Sequence, residues 1–146
     1  MGAGELRVRR LHPDARLPVR AHDDDAGHDL CALEAATLQP GERATIRTGI
    51  AIELPPNHAG LVVPRSGLAA RHGIAIVNAP GLIDAGYRGE LKVLLLNTDR
   101  RAAFAIAPGD RIAQLVIVAV AAPQIVEADA LAATLRGEGG FGSSGS

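Results

Sequence analysis

Asp84 lies in the segment Gly81-Leu82-Ile83-Asp84-Ala85-Gly86-Tyr87-Arg88-Gly89-Glu90. It follows apolar Ile83, so its carboxylate is expected to be partly shielded, and a shielded carboxylate can serve as a general base. Gly86 and Gly89 permit unusual backbone angles, and the segment reads as a hairpin. Tyr87 is the only tyrosine of the chain. A turn-capping role for Asp84 and a packing role for Tyr87 are the plainer alternatives. A second carboxylate, Asp29, enters an apolar stretch after the glycine turn of Ala26-Gly27-His28-Asp29-Leu30. The acidic run Asp23-Asp24-Asp25 before it reads as a solvated loop.

Three other segments carry groups suited to anions. Pro64-Arg65-Ser66-Gly67-Leu68-Ala69 combines a guanidinium, a hydroxyl and the free N–H groups of a helix start, a plausible phosphate site. Gln114, in Gly109-Asp110-Arg111-Ile112-Ala113-Gln114-Leu115, is an odd choice for a buried strand unless its amide is paired. The chain from Arg136 to Ser146 is rich in Gly and Ser and carries Phe141 beside Arg136. Such a segment cannot bury enough apolar surface to order itself and is expected to be flexible. A mobile arm with a ring, a cation and free N–H groups suits closure over a ligand with a flat ring and phosphates. The literal G-x-G-x-x-G of Gly137 to Gly142 is no dinucleotide fingerprint, because neither a strand before it nor a helix after it is expected. No His/Cys/Asp spacing resembles a tight zinc or calcium cage.

The elements that must hold these groups read as strands and turns. Strands are expected near residues 5–10, 35–38, 43–47, 50–54, 61–63, 90–97 and 111–120, punctuated by Gly and Pro turns. Residues 66–71 read as one short helix with Ser66 as N-cap, and residues 128–135 are helix-compatible. The pattern argues for an all-β sandwich, barrel or jelly roll. The length of 146 residues argues for one domain with a modest core that oligomerisation would help stabilise. A net charge of −1 gives no broad footprint for nucleic acid or a membrane surface. The longest apolar stretch, residues 115–123, is too short to span a bilayer. The start of the chain lacks an apolar signal core, and single Cys31 forms no internal disulfide, so a cytoplasmic protein is expected.

In order, AGHDL, PRSGLA, NAPGLIDAGYRGE, GDRIAQL and RGEGGFGSSG resemble the five motifs of the trimeric dUTPases, from Ala26 to Gly145. The resemblance implies an all-β fold, a distorted antiparallel jelly roll of the β-clip kind, with one short helix. It implies a β domain over 1–135 and a flexible C-terminal arm over 136–146 that closes over a neighbouring subunit's site. It implies a homotrimer with shared sites that hydrolyses dUTP to dUMP and pyrophosphate, limiting uracil in DNA and supplying dUMP for thymidylate synthesis. By the same resemblance, Asp84 activates the attacking water, and Asp29 holds Mg2+ through water. Arg65, Ser66, Gly67 and Gln114 bind the phosphates. Asn78, Leu82, Ile83 and Lys92 form the uracil pocket, and Tyr87 packs under the deoxyribose. Phe141 stacks on the base, Arg136 meets the γ-phosphate, and Gly142 belongs to the closing arm. His28 occupies a position the family varies. Two other readings stand beside this one: a dCTP deaminase-like enzyme of the same fold, and a non-catalytic nucleotide-binding relative. Deamination would need a group that handles the amino group at the base's C4, and the hairpin around Asp84 follows the hydrolase pattern instead.

Overall fold

A computed structural model describes residues 4–142. Eleven strands and one helix follow in the order β1 (Arg7–Arg10), β2 (Gly27–Cys31), β3 (Ala36–Leu38), β4 (Arg43–Arg47), β5 (Ile50–Glu53), β6 (His58–Val63), α1 (Ser66–His72), β7 (Ile74–Ile76), β8 (Gly81–Ile83), β9 (Lys92–Asn97), β10 (Phe104–Ile106) and β11 (Arg111–Ala119). Every pairing is antiparallel. The largest sheet runs β2-β11-β6-β8; a second runs β4-β9-β7; β1-β5 and β10-β3 are two-stranded ribbons. This is the expected all-β jelly-roll fold, with one short helix.

Period-two alternation builds the core. In β9, Val93, Leu95 and Asn97 point inward and are fully buried, while Lys92 is exposed. Val93 and Leu95 meet Leu30, Leu38, Ile50, Ile112 and Leu115 in one apolar cluster. Buried Asn97 is paired throughout: its amide donates to Leu38 O at 3.0 Å and Ala102 O at 2.9 Å, and its oxygen accepts from Asp99 N at 2.9 Å. In β11 the alternation breaks. The register against β2 shifts between Arg111 and Ala113, so that consecutive Ile112 and Ala113 are both buried. A bulge of this kind changes the phase of the strand beyond it. Here it turns Gln114 away from the core and opposite Asp29.

Three details differ from the sequence expectations. Gly81–Glu90 is not a hairpin: β8 pairs with β6, and β9 pairs with β4 and β7, so the turn between them crosses from one sheet to another. Arg65, not Ser66, occupies the helix N-cap, and it makes no side-chain cap hydrogen bond. Residues 128–135 form no helix. They have no surface of their own chain to pack an apolar face against, and a helix this short is marginal without packing. From residue 121 to 142 the chain carries neither helix nor strand and is almost wholly exposed. Among the described residues no helix is long and apolar enough to cross a membrane.

Candidate functional site

Asp84 follows β8 directly and opens a turn that Tyr87 N–H closes on Asp84 O at 3.1 Å. The turn borders a cleft of about 450 Å³ whose wall includes Asn78, Leu82, Ile83, Asp84, Tyr87 and Lys92. β8 is the last strand of its sheet, so its outer edge offers unpaired backbone N–H and C=O groups to a ligand. Gly81 leaves room beside the Asn78 amide, whose nitrogen would lie 3.4 Å from any added Cβ. Tyr87 donates its hydroxyl to Glu90 O at 2.9 Å while its ring stays about half exposed. Gly89 lets the ring take this position, because a Cβ there would sit 2.6 Å from Tyr87 Cζ and displace it. The expected shielding of Asp84 is not found in the single chain; its side chain is exposed on the rim. The alternation that buries Gly81 and Ile83 sends Leu82 and Asp84 outward.

Behind this cleft Glu90 is clamped. Arg47 Nε lies 3.1 Å from its Oε2 and Nη2 lies 3.2 Å from its Oε1, and Gly49 N–H donates to Oε2 at 3.1 Å. Burial alone would raise the Glu90 pKa. The hydrogen bonds from Arg47 and Gly49, with the charges of Arg47 and Lys92, outweigh it and hold the carboxyl below its ordinary value.

A second cleft, of about 380 Å³, gathers Asp29, Arg65, Ser66, Gly67, Arg111 and Gln114. The β2–β11 register sets Gln114 against Asp29, and the β11–β6 register sets it against Val63, just before the turn carrying Arg65. Gln114 donates to Pro64 O at 3.2 Å. Gly27 gives it space, since an added Cβ would collide with its amide oxygen. Asp29 is largely covered, with Arg65 Nε at 3.6 Å from one oxygen and Arg111 Nη1 at 3.5 Å from the other. Sequence reasoning left Arg111 out. The available signal was a cation three residues before Gln114, but only the bulged register shows that it reaches Asp29. Burial pushes the nearby Cys31 thiol up, against the pull of Arg16, Arg111 and Arg65, so it is no ready nucleophile.

The two clefts do not merge. Asp29 and Asp84 belong to opposite margins of one sheet, three strand spacings apart. The registers also offset them by four residues along the strands. At about 4.8 Å per spacing and about 3.4 Å per residue, the backbone positions of the two residues are roughly 20 Å apart. Arg136, Phe141 and Gly142 line neither cleft. Arg136 Nε instead donates to Gly139 O at 2.6 Å, and the Phe141 ring is fully exposed with φ 50°. Ser143 and the residues after it in the fifth motif lie outside the described residues.

Comparison with known proteins gives these clefts a context. The dUTPase family model matches residues 14–145. A deoxyuridine 5'-triphosphate nucleotidohydrolase from Thermobifida fusca is 58% identical over 144 residues, 99% of this chain and 80% of the relative. One from Leifsonia xyli subsp. xyli is 60% identical over 130 residues, 89% of this chain and 86% of the relative. Among solved structures, the Staphylococcus bacteriophage 80alpha dUTPase with dUPNHPP superimposes with a TM-score of 0.92 at 33% identity, covering 98% of this chain and 99% of that one. A mutant dUTPase from phage phi11 of S. aureus, described as showing the coordination of a structural Mg(II) ion, gives 0.83 at 30% identity over 89% of this chain and all of its own.

Proposed function

This chain belongs to the dUTPase family, and from that premise we propose that it hydrolyses dUTP to dUMP and pyrophosphate at a site completed by neighbouring copies of itself. The observation that carries the reading is the 450 Å³ cleft, which combines an open strand edge, the Asn78 amide, the Tyr87 ring and the Asp84 carboxylate. A planar base with adjacent donors and acceptors fits the edge of β8. Leu82 and Ile83 supply the backbone groups, and Asn78 and Lys92 the flanking polar ones. Tyr87 packs beneath the sugar and fills the space that a 2′-hydroxyl would need. Asp84 then accepts a proton from a water that attacks the α-phosphorus in line, and pyrophosphate leaves with the P–O electron pair.

The 380 Å³ cleft supplies the phosphate contacts: the Arg65 guanidinium, the Ser66 hydroxyl, the Gly67 N–H and the Gln114 amide. Ser66 is free for this role because it is not spent on capping the helix. Since roughly 20 Å separates this cleft from Asp84 on one chain, the working site takes one cleft from each of two subunits. A homotrimer provides that arrangement three times over. The arm, residues 136–146, closes it, with Phe141 on the base, Arg136 on the γ-phosphate and the Gly142 N–H toward the phosphates.

The residues fit magnesium in one manner only. Among the described residues no three His, Cys, Asp or Glu side chains could hold a metal ion together, and both Asp29 oxygens face guanidinium groups. Asp29 would hold the ion through water, with the triphosphate as its main ligand, and the ion would neutralise phosphate charge.

Pyrophosphate release measured across dUTP, UTP, dTTP and dCTP tests the reading. Turnover of dUTP well above the other three is expected. Equal turnover of all four would overturn it, and ammonia released from dCTP would turn it toward a deaminase.

A further inference from the structure

Asp84, Gly86, Tyr87, Arg88 and Gly89 are all exposed, and only Ala85 of this turn packs on the apolar core. A general base must nevertheless be held close to its reacting geometry, since a displacement of about 1 Å can cost about 100-fold in rate. Core packing reaches the turn only through Ala85. The Arg88 side chain spans it. It folds back so that Nη1 donates to Ala85 O at 2.7 Å and to Tyr87 O at 3.1 Å. Its Nη2 lies 3.6 Å from Oε1 of Glu53, at the end of β5, and the other oxygen of Glu53 lies 3.5 Å from Arg7 of β1. One planar group thus bridges two carbonyls of the turn and ties it to the β1–β5 ribbon, which belongs to neither sheet that the turn connects.

We propose that Arg88, anchored by Glu53, is the positioning residue that fixes the Asp84 carboxylate and the Tyr87 ring in their working geometry. This rests on the reading of Asp84 as the base. The guanidinium is matched to the task because it presents several donors in a rigid plane, whereas an ammonium has three donors on one nitrogen and no fixed fork to reach the carbonyls and the carboxylate together. Exposed ion pairs add little to global stability, so removing Arg88 alters the turn without unfolding the protein.

The test measures kcat and KM for dUTP, affinity for a non-hydrolysable α,β-imido analogue of dUTP, and the melting temperature. Arg88→Ala is expected to lower kcat about 10- to 100-fold, with analogue affinity changed less than about threefold and melting little changed. Arg88→Lys should recover part of the loss. Glu53→Gln should lower kcat several-fold, and the Glu53→Gln/Arg88→Ala double variant should be no worse than Arg88→Ala alone, because Glu53 acts through Arg88. A kcat within about twofold of the parent in Arg88→Ala overturns the proposal. So does a loss that follows the melting temperature and analogue affinity down together, or losses that multiply in the double variant. The parent and Asp84→Asn serve as controls. If the parent releases no pyrophosphate from dUTP, or Asp84→Asn is fully active, the reading of the site falls and this one with it. If both controls behave and Arg88→Ala keeps its kcat, the positioning role alone falls.

Discussion

Asp84 and Tyr87 are separated by one turn of backbone and carry different consequences. Asp84→Asn keeps the side chain's shape and removes the proton acceptor, so kcat should fall roughly 10²- to 10⁴-fold while KM moves much less. Steady-state pyrophosphate release decides it: near-normal turnover would exclude Asp84 as the base. In the proposed site Tyr87 would act by occupying space, and its hydroxyl bond to Glu90 O steadies the ring. Tyr87→Ala should therefore narrow the dUTP-to-UTP ratio of kcat/KM, and an unchanged ratio would locate sugar selection elsewhere in the cleft. Residue types in the five motifs were legible in the sequence because carboxylate, amide, hydroxyl and ring chemistry do not depend on context. The guanidinium groups were harder to read. Arg111 and Arg88 take their meaning from partners far along the chain, Asp29 and Glu53, and nothing local distinguishes them from solvated surface cations. The exposure of Asp84 was misjudged for a related reason. A preceding apolar residue says which strand face is buried, and in a strand the next residue points the other way.

Two elements set the clefts' dimensions, and each can be perturbed alone. β2 must pass close to β11 at Gly27, where any Cβ meets the Gln114 side chain. Gly27→Ala should push the Gln114 amide off its contact with Pro64 O and weaken phosphate binding. A higher KM for dUTP is expected, and an unchanged value would mean the amide has room to adjust. β4 is tied to the start of β9 through Arg47 and Glu90. The folded-state pKa of Glu90 lies below its ordinary value of 4.5. Its ionised form is therefore favoured by folding, and its contribution is present above pH 4.5 and lost as pH falls through the depressed value. The melting-temperature difference between the parent and Glu90→Gln should be largest near neutrality and shrink in acid. A difference independent of pH would remove the Arg47–Glu90 pair as its cause. The strands β9 and β11 were readable because each is a mostly apolar run of six and nine residues bounded by turn signals. β7 and β10 are too short for that, with three residues each. The apparent hairpin failed on a choice of partner. β8 and β9 flank a turn as hairpin strands do, yet each finds its pairing with strands distant in sequence.

On the scale of the molecule, the segment proposed to close the site leaves the body of the chain, with residues 121–142 in neither helix nor strand and almost wholly exposed. Beyond β11 the side chains of Ile125, Leu131, Leu135 and Phe141 are exposed by 90%, 91%, 110% and 113%. Burying each large aliphatic one against a neighbour would contribute about 1.5–3 kcal/mol, a sufficient reason for this segment to lie along other copies. The composition of residues 136–146 gives an expectation of mobility but none of direction; in the proposed shared site the surface it meets would belong to another copy. Light scattering should give a trimer, and truncation after Leu135 should leave that trimer intact while dUTP turnover drops sharply. Mixing then tests whether sites are shared. Chains carrying Asp84→Asn lack the base but keep the arm, and truncated chains keep the base but lack the arm. If one site takes Asp84 from one subunit and the arm from another, a random equal mixture of cyclic trimers restores about a quarter of the sites, since each needs a truncated chain in one position and an Asp84→Asn chain in the next. If base and arm come from the same subunit, no mixture restores any. Activity of verified mixed trimers near the first value supports exchange between subunits; activity no higher than the sum of the two parents' residual rates would mean that each chain closes its own site.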